Sequence, residues 1–118
     1  MRKIIFYGYS KCSTCRKAAK WLEVKDIQFQ LIDIVKEPPS LDYLNLALEQ
    51  YAEEKKRIFN TRGKAFKSIN LEISSLSREK IIELLLSDGK LIKRPFLVFE
   101  EKKVILGFNE IEYAKQFM

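Results

Sequence analysis

The 118-residue sequence contains no histidine, two cysteines, four glycines and three prolines. Without histidine there is no Ser-His-Asp or Cys-His catalysis, and the commonest zinc ligand is missing. Two cysteines alone do not close an ordinary structural zinc site within one chain, so no metal site is expected. So little glycine and proline excludes linker-like or collagen-like composition. Apolar runs such as Leu84-Leu85-Leu86 and Phe96-Leu97-Val98-Phe99 are far too short to span a bilayer, so no membrane partner is expected. The start, Met1-Arg2-Lys3-Ile4-Ile5-Phe6-Tyr7, runs into polar Ser10-Lys11 too soon to hold a signal-peptide core. A cytoplasmic location is therefore expected, and there cysteines are more often catalytic or redox-sensing than structural.

What is present fits one compact domain over residues 1–118: 47% hydrophobic residues, 12% aromatic and 32% charged. The net charge of +6 is unevenly placed. Residues 1–22 hold Arg2, Lys3, Lys11, Arg16, Lys17 and Lys20 and no acid, leaving sixteen basic residues to balance sixteen acidic ones elsewhere. That segment reads either as a solvated face or as an electropositive setting for the two cysteines it contains. A basic balance of this size is weak evidence for nucleic acid, and direct binding to it is not expected.

Along the chain, Lys3 to Gly8 reads as a buried strand and Ser13 to Lys25 as a helix with Ala18, Leu22 and Trp21 inward. Gln28 to Ile34 alternates Phe29 and Leu31 with Gln28 and Gln30, a second strand. Pro38-Pro39 interrupt the chain. Ser40 then caps a helix with Leu41, Leu44, Leu48 and Tyr51 at helical spacing. A loop and short helix follow over Lys55 to Lys67. Ser77 caps a helix through Ile81, Ile82, Leu84 and Leu85 that ends at Asp88-Gly89. Phe96–Phe99 and Lys103–Leu106 pair as a hairpin. Asn109 caps a last helix with Ile111, Ala114 and Phe117 on one side. The order predicts an α/β fold, a small mixed β-sheet flanked by helices.

Cys12-Ser13-Thr14-Cys15 sits between the first strand and the first helix, the context of a thioredoxin-like redox motif. The unpaired N–H groups and positive end of the helix dipole favour a thiolate on Cys12. Cys15, one turn on, is placed to attack a mixed disulfide or sulfenate there. Cys12 is the candidate nucleophile and Cys15 the resolving thiol, with Lys11 and Arg16 as nearby cations. Two inert core cysteines are the plainer alternative.

The run Tyr9-Ser10-Lys11-Cys12-Ser13-Thr14-Cys15-Arg16-Lys17-Ala18 with Trp21-Leu22 resembles the arsenate reductase (ArsC)/Spx/YffB family. So do Phe59-Asn60-Thr61-Arg62-Gly63-Lys64, Leu91-Ile92-Lys93-Arg94-Pro95 and Gly107-Phe108-Asn109-Glu110, in family order over nearly the whole chain. The resemblance implies a thioredoxin-like fold with a helical insertion at about residues 36–90. It also implies a cis proline, Pro95, facing the thiols before the third strand, with Arg94 beside it.

In arsenate reductases of this type a cysteine matching Cys12 attacks arsenate, and glutathione and glutaredoxin complete the cycle. Of the three arginines that bind the oxyanion there, only Arg94 has a direct match. Asn60-Thr61 stand at the insertion arginine with Arg62 displaced, and Gly107-Phe108-Asn109 supply no third. Spx-type regulators instead combine a Cys-x-x-Cys switch with binding to the RNA polymerase alpha subunit. Their polymerase-contacting glycine aligns near Glu54. The expectation is a thiol-dependent oxidoreductase acting on a small oxyanion or a thiol/disulfide substrate. Cys12 and Cys15 are its catalytic pair, and Arg94, Arg62, Lys11 and Arg16 bind anions. No cofactor is bound; the glutathione/glutaredoxin or thioredoxin system supplies electrons. An Spx-like regulator is the alternative.

Overall fold

A computed structural model describes residues 3–118. Its elements are β1 (Ile4–Gly8), α1 (Ser13–Val24), β2 (Gln30–Asp33), α2 (Leu41–Gln50), α3 (Lys64–Ile69), α4 (Arg78–Ser87), β3 (Phe96–Phe99), β4 (Lys103–Leu106) and α5 (Glu110–Phe117). Short 3-10 turns at Lys55–Ile58, Ile73–Ser75 and Gly89–Leu91 link the helices between β2 and β3. The sheet order is β2-β1-β3-β4, with β1 parallel to β2 and antiparallel to β3, and β3 antiparallel to β4. The fold is thioredoxin-like, a mixed four-stranded sheet with helices on both faces.

Strand alternation divides the interior in two. Ile5, Tyr7, Phe96, Val98 and Val104 point to one side, against Leu44, Leu48, Ile58, Ile81 and Leu85. Ile4, Phe6, Leu97 and Ile105 point to the other, against Cys15, Ala18 and Leu22 of α1 and Tyr113 and Phe117 of α5. The register places Ile5 beside Val98 and Val98 beside Val104, so each face is continuous across three strands. Burial on both faces is why β1 and β3 read as unbroken apolar runs.

Helix starts fall where the side-chain caps put them. The oxygens of Ser40, Ser77 and Asn109 accept from the N–H groups of Tyr43, Lys80 and Glu112. Asp88 ends α4, and its carboxylate accepts from Lys90 N–H at 2.9 Å. Gly89 then passes so close to β2 that an added Cβ would collide with the Ile34 carbonyl. This position requires glycine for space.

Three sequence expectations about burial need correction. Leu31 is 65% exposed. It lies on edge strand β2 beside Phe6, beyond the cover of α1, and the ordered strand is only Gln30–Asp33. On α5 the buried residues are Tyr113 and Phe117, while Ile111 and Ala114 face solvent. Tyr113 wins because its ring packs among Trp21, Phe108 and Phe117 and its hydroxyl donates to the Gly107 carbonyl at 2.7 Å. Trp21 is half-buried rather than inward, with its ring edge-on to Tyr113 and one side open.

Candidate active site

The site is built where β1 hands the chain to α1. After Gly8 the chain turns through Tyr9-Ser10-Lys11, and Cys12 N–H donates to the Tyr9 carbonyl at 3.0 Å. Cys12 is the N-cap of α1, in extended conformation, and its Sγ accepts from Cys15 N–H at 3.2 Å. The sulfur therefore occupies the place that a serine or aspartate oxygen takes at other helix starts. That N–H and the positive end of the α1 dipole face the sulfur. Cys12 is half-buried and Cys15, one turn in, is buried; both are free thiols.

The two sulfurs have different environments. Burial, and then hydrogen bonding to Cys12, push the Cys15 thiol up to about 12, although the Tyr9 backbone and the charge of Arg94 pull the other way. Cys15 stays protonated at neutral pH, a hydrogen-bond partner for Cys12 until Cys12 enters a disulfide.

Of the four cations singled out in the sequence, the structure holds two at the cysteine loop. Arg94 is half-buried, with its guanidinium 5.2 Å from the centre of the Tyr9 ring. One of its N–H groups donates to the Lys90 carbonyl at 3.4 Å. Arg16 donates to the Ser10 carbonyl at 2.7 Å and braces the loop from the helix side. Lys11 and Arg62 are exposed and make no ion pair or hydrogen bond through their side chains among the described residues. The Arg94–Pro95 peptide is cis and leads directly into β3.

The insertion reaches this site through a short antiparallel contact. Phe59 pairs with Ile92, Asn60 N–H donates to Leu91 and Lys93 N–H donates to Ile58. Asn60 Nδ2 also approaches the Lys90 carbonyl at 3.4 Å, the acceptor that Arg94 uses. Tyr9 and Asn60 are the residues that sequence reasoning did not assign to the site. An aromatic residue three positions before Cys12 was the available signal for the first. The second stood with Thr61 at the insertion arginine of the family pattern, but its contact with the Lys90 carbonyl, thirty residues away, had no local signal. A cleft of about 300 Å³ opens behind the loop, lined by Tyr9, Cys15, Arg16 and Leu31 among others. Among the described residues no group of three or more His, Cys, Asp or Glu gathers to hold a metal ion. No helix there is long and apolar enough to cross a membrane.

Residues 7–116 match the ArsC family. The chain belongs to that family. It is 40% identical over 116 residues to the uncharacterized protein YusI of Bacillus subtilis, covering 97% of this chain and 98% of YusI. It is 34% identical over 112 residues to the global transcriptional regulator Spx of Lactiplantibacillus plantarum, covering 95% and 84% of the two chains. A crystal structure of a possible arsenate reductase from Streptococcus mutans superimposes with a TM-score of 0.87 at 38% identity, covering 97% of this chain and 98% of that one. The ArsC-family chain thus has similarity both to a named regulator and to a structure described as a possible reductase.

Proposed function

We propose that this ArsC-family protein is a cytoplasmic thiol-dependent oxidoreductase that acts on a small oxyanion or a thiol/disulfide substrate. The observation carrying the reading is the asymmetry of the thiol pair: a half-buried Cys12 sulfur accepting from the helix N-terminus, and a buried, protonated Cys15 behind it. With a disulfide substrate, the Cys12 thiolate attacks one sulfur, forms a mixed disulfide and expels the other as a thiol. Cys15 loses its proton and attacks Cys12, closing a Cys12–Cys15 disulfide and releasing the second substrate thiol. A reducing thiol system, glutaredoxin with glutathione or thioredoxin, then returns the pair to the dithiol. Arg94 orients an anionic group beside Cys12 through its planar fork.

The test is a turnover screen pairing glutathione, thioredoxin and glutaredoxin systems with arsenate, disulfides and glutathionylated peptides. Cys12→Ser should abolish turnover, and Cys15→Ser should trap a mixed disulfide. Arg94→Lys keeps the charge and loses the fork. It should lower catalytic efficiency by roughly 10- to 150-fold, the worth of one charge-assisted hydrogen bond. Arg62→Lys should cost less, and Lys115→Ala, on the far helix, nothing. Turnover in Cys12→Ser equal to wild type would end the reading.

The regulator reading is favoured by the 34% identity to Spx, and would make the RNA polymerase alpha subunit the partner. Glu54 weighs against it. Near the position of the regulators' contact glycine it projects an exposed carboxylate, paired with Arg57 at 3.4 Å. Capture of the alpha C-terminal domain by the oxidised protein, with no turnover in the screen, would reverse the preference.

A further inference from the structure

The outward face of α1 is dense in cations. Residues 13, 16, 17, 20, 21, 24 and 25 follow one another at helical spacing and form one wall of a groove of about 680 Å³; Phe108 and Glu110 form the other. Arg16, Lys17, Lys20 and Lys25 place four cations on it against the single carboxylate of Glu110. Lys17 and Lys20 have no ion pair or hydrogen bond through their side chains among the described residues. Between the cations lies the open side of Trp21, with Lys25 Nζ 5.7 Å from its ring centre. The groove runs to Ser13, the residue after Cys12.

We propose that this groove is the docking surface for an acidic polypeptide segment of the protein that exchanges disulfides with Cys12. A bulky apolar side chain of that segment seats between Trp21 and Phe108, and its carboxylates meet Lys17, Lys20 and Lys25. The inference rests on the thiol reading above and names the partner by its chemistry. Charge complementarity selects an anion, and Trp21 and Val24 facing Phe108 select one carrying an apolar side chain. A groove that reaches Ser13, next to Cys12, suits a side chain on a flexible strand better than a bilayer surface or a stiff duplex.

Trp21 is the sole tryptophan, so its emission reports directly on the groove. The probe is an acetylated, amidated Asp-Glu-Phe-Glu-Asp peptide, with Lys-Lys-Phe-Lys-Lys as its counterpart, titrated into the full chain at low salt. The acidic peptide should bind at least about tenfold tighter than the basic one. The Lys17→Glu/Lys20→Glu double variant, altered only at exposed positions, should lose that advantage, as should 0.5 M salt.

A second arm links Cys to the acidic peptide as a mixed disulfide with thionitrobenzoate. The Cys12 thiolate forms a bond to the peptide sulfur, the peptide–thionitrobenzoate bond breaks, and the coloured thiolate leaves. This reaction should be about tenfold slower in the double variant at sub-saturating peptide, while reaction with neutral 2,2′-dithiodipyridine stays unchanged. Equal affinities for the two peptides would overturn the proposal. So would a Trp21 response confined to vesicles containing 30% phosphatidylserine, or to a 20-base-pair duplex. Peptide binding with a Cys12 inert to dithiodipyridine would instead sink the thiol reading while leaving the acidic ligand in place.

Discussion

The insertion face of the sheet is filled mainly by aliphatic side chains: Leu44, Leu48, Ile58, Ile73, Ile81, Leu85 and Ile92 close over Ile5, Val98 and Val104. Edge-on rings meet there only at Tyr7–Phe96, Tyr7–Tyr43 and Phe59–Phe66 among the described residues. The α1–α5 face is a run of edge-on rings, Trp21 to Tyr113 to Phe117 to Phe99, with Phe108 against Tyr113 and a cysteine among them. Aliphatic packing rewards volume and tolerates small changes of angle, whereas ring-edge contacts fix orientation. Orientation is what the second face needs, because it holds the helix whose first turn presents Cys12. The insertion face serves a different purpose: it covers the sheet, closes its β4 edge and delivers Asn60 to the Lys90 carbonyl.

The strongest way to break the insertion face is Gly89→Ala. The added methyl would collide with the Ile34 backbone, which cannot rotate away as a side chain could. Either α4 or the end of β2 must shift. The expected loss is about 3 kcal/mol, measured by urea unfolding. The shift should also reach the thiol site. Gly89 leads into Lys90, whose carbonyl receives Arg94 and Asn60, and Ile34 N–H donates to the Gly8 carbonyl ahead of the cysteine loop. Unfolding and Cys12 alkylation that both match wild type would show that the backbone absorbs the methyl without moving.

Next in size is Gln50, at the end of α2. Its amide accepts from Val104 N–H at 2.6 Å and donates to the Val104 carbonyl at 2.8 Å, imitating a neighbouring strand along the outer edge of β4. Such a cover blunts an edge that would otherwise recruit another chain. Gln50→Leu should cost about 2 kcal/mol for two orphaned backbone groups and should raise concentration-dependent association. Gln50→Glu keeps the acceptor and should lose less. A monomeric Gln50→Leu protein of unchanged stability would mean water replaces the amide at no cost.

Much of this was legible in the sequence, and the division between legible and hidden follows range. The strands, the caps at Ser40, Ser77 and Asn109 and the Cys-x-x-Cys at a helix start are local patterns, readable from a few neighbouring residues. The burial of Leu31, Ile111 and Ala114 depends on which helix covers which strand, and periodicity alone carries no such information. On α5 three positions, 111, 113 and 114, competed for the interior. The larger ring at 113, with a carbonyl to receive its hydroxyl, took the place that spacing gave to 111 and 114. At the candidate site, the sequence named Cys12, Cys15 and Arg94, and the structure brings them together. The Tyr9 ring under Arg94 and the Asn60 contact were not, because each joins segments far apart in the chain.

The thiol face gives a smaller effect, visible in pH. Burial raises the Cys15 thiol from an ordinary value of 9.0 to about 12, so the folded chain holds this proton where the unfolded chain releases it. Its contribution is fully present below pH 9 and is lost as pH climbs from about 9 towards 12. Reduced wild-type protein should therefore lose stability faster than Cys15→Ala between pH 8.5 and 10.5, when the slopes rather than the absolute values are compared. Lysine titrations and those of the other tyrosines are common to both proteins and cancel; Tyr113, raised first by burial and then by Cys15, is the exception. Parallel slopes would mean that Cys15 reaches water more freely than its position suggests.

The smallest effect lies at the β3–β4 turn, where the two faces meet. Glu100 and Glu101 both take the left-handed conformation, φ 53° and 57°, which a Cβ disfavours. Glu100 has no side-chain partner among the described residues. Glu101 accepts from Tyr43 of α2 at 3.1 Å and from Lys3 at 3.2 Å, tying the insertion to the hairpin tip. Glu100→Gly should therefore stabilise the protein by about 0.5 kcal/mol, strain relief less the entropy glycine adds to the unfolded chain. Glu101→Gly relieves the same strain but gives up the tie, so it should gain less. Hydrogen bonds from Lys3 and Tyr43 hold the Glu101 carboxyl below its usual range, so the contribution of the tie is present at neutral pH and is lost as pH falls through that lowered value. The gap between the two glycine variants should accordingly narrow in acid and in high salt, read by thermal unfolding at pH 7 and pH 3. If Glu101→Gly gains as much as Glu100→Gly at pH 7, the tie contributes nothing, and the insertion is held to the sheet by its aliphatic face and Gln50 alone.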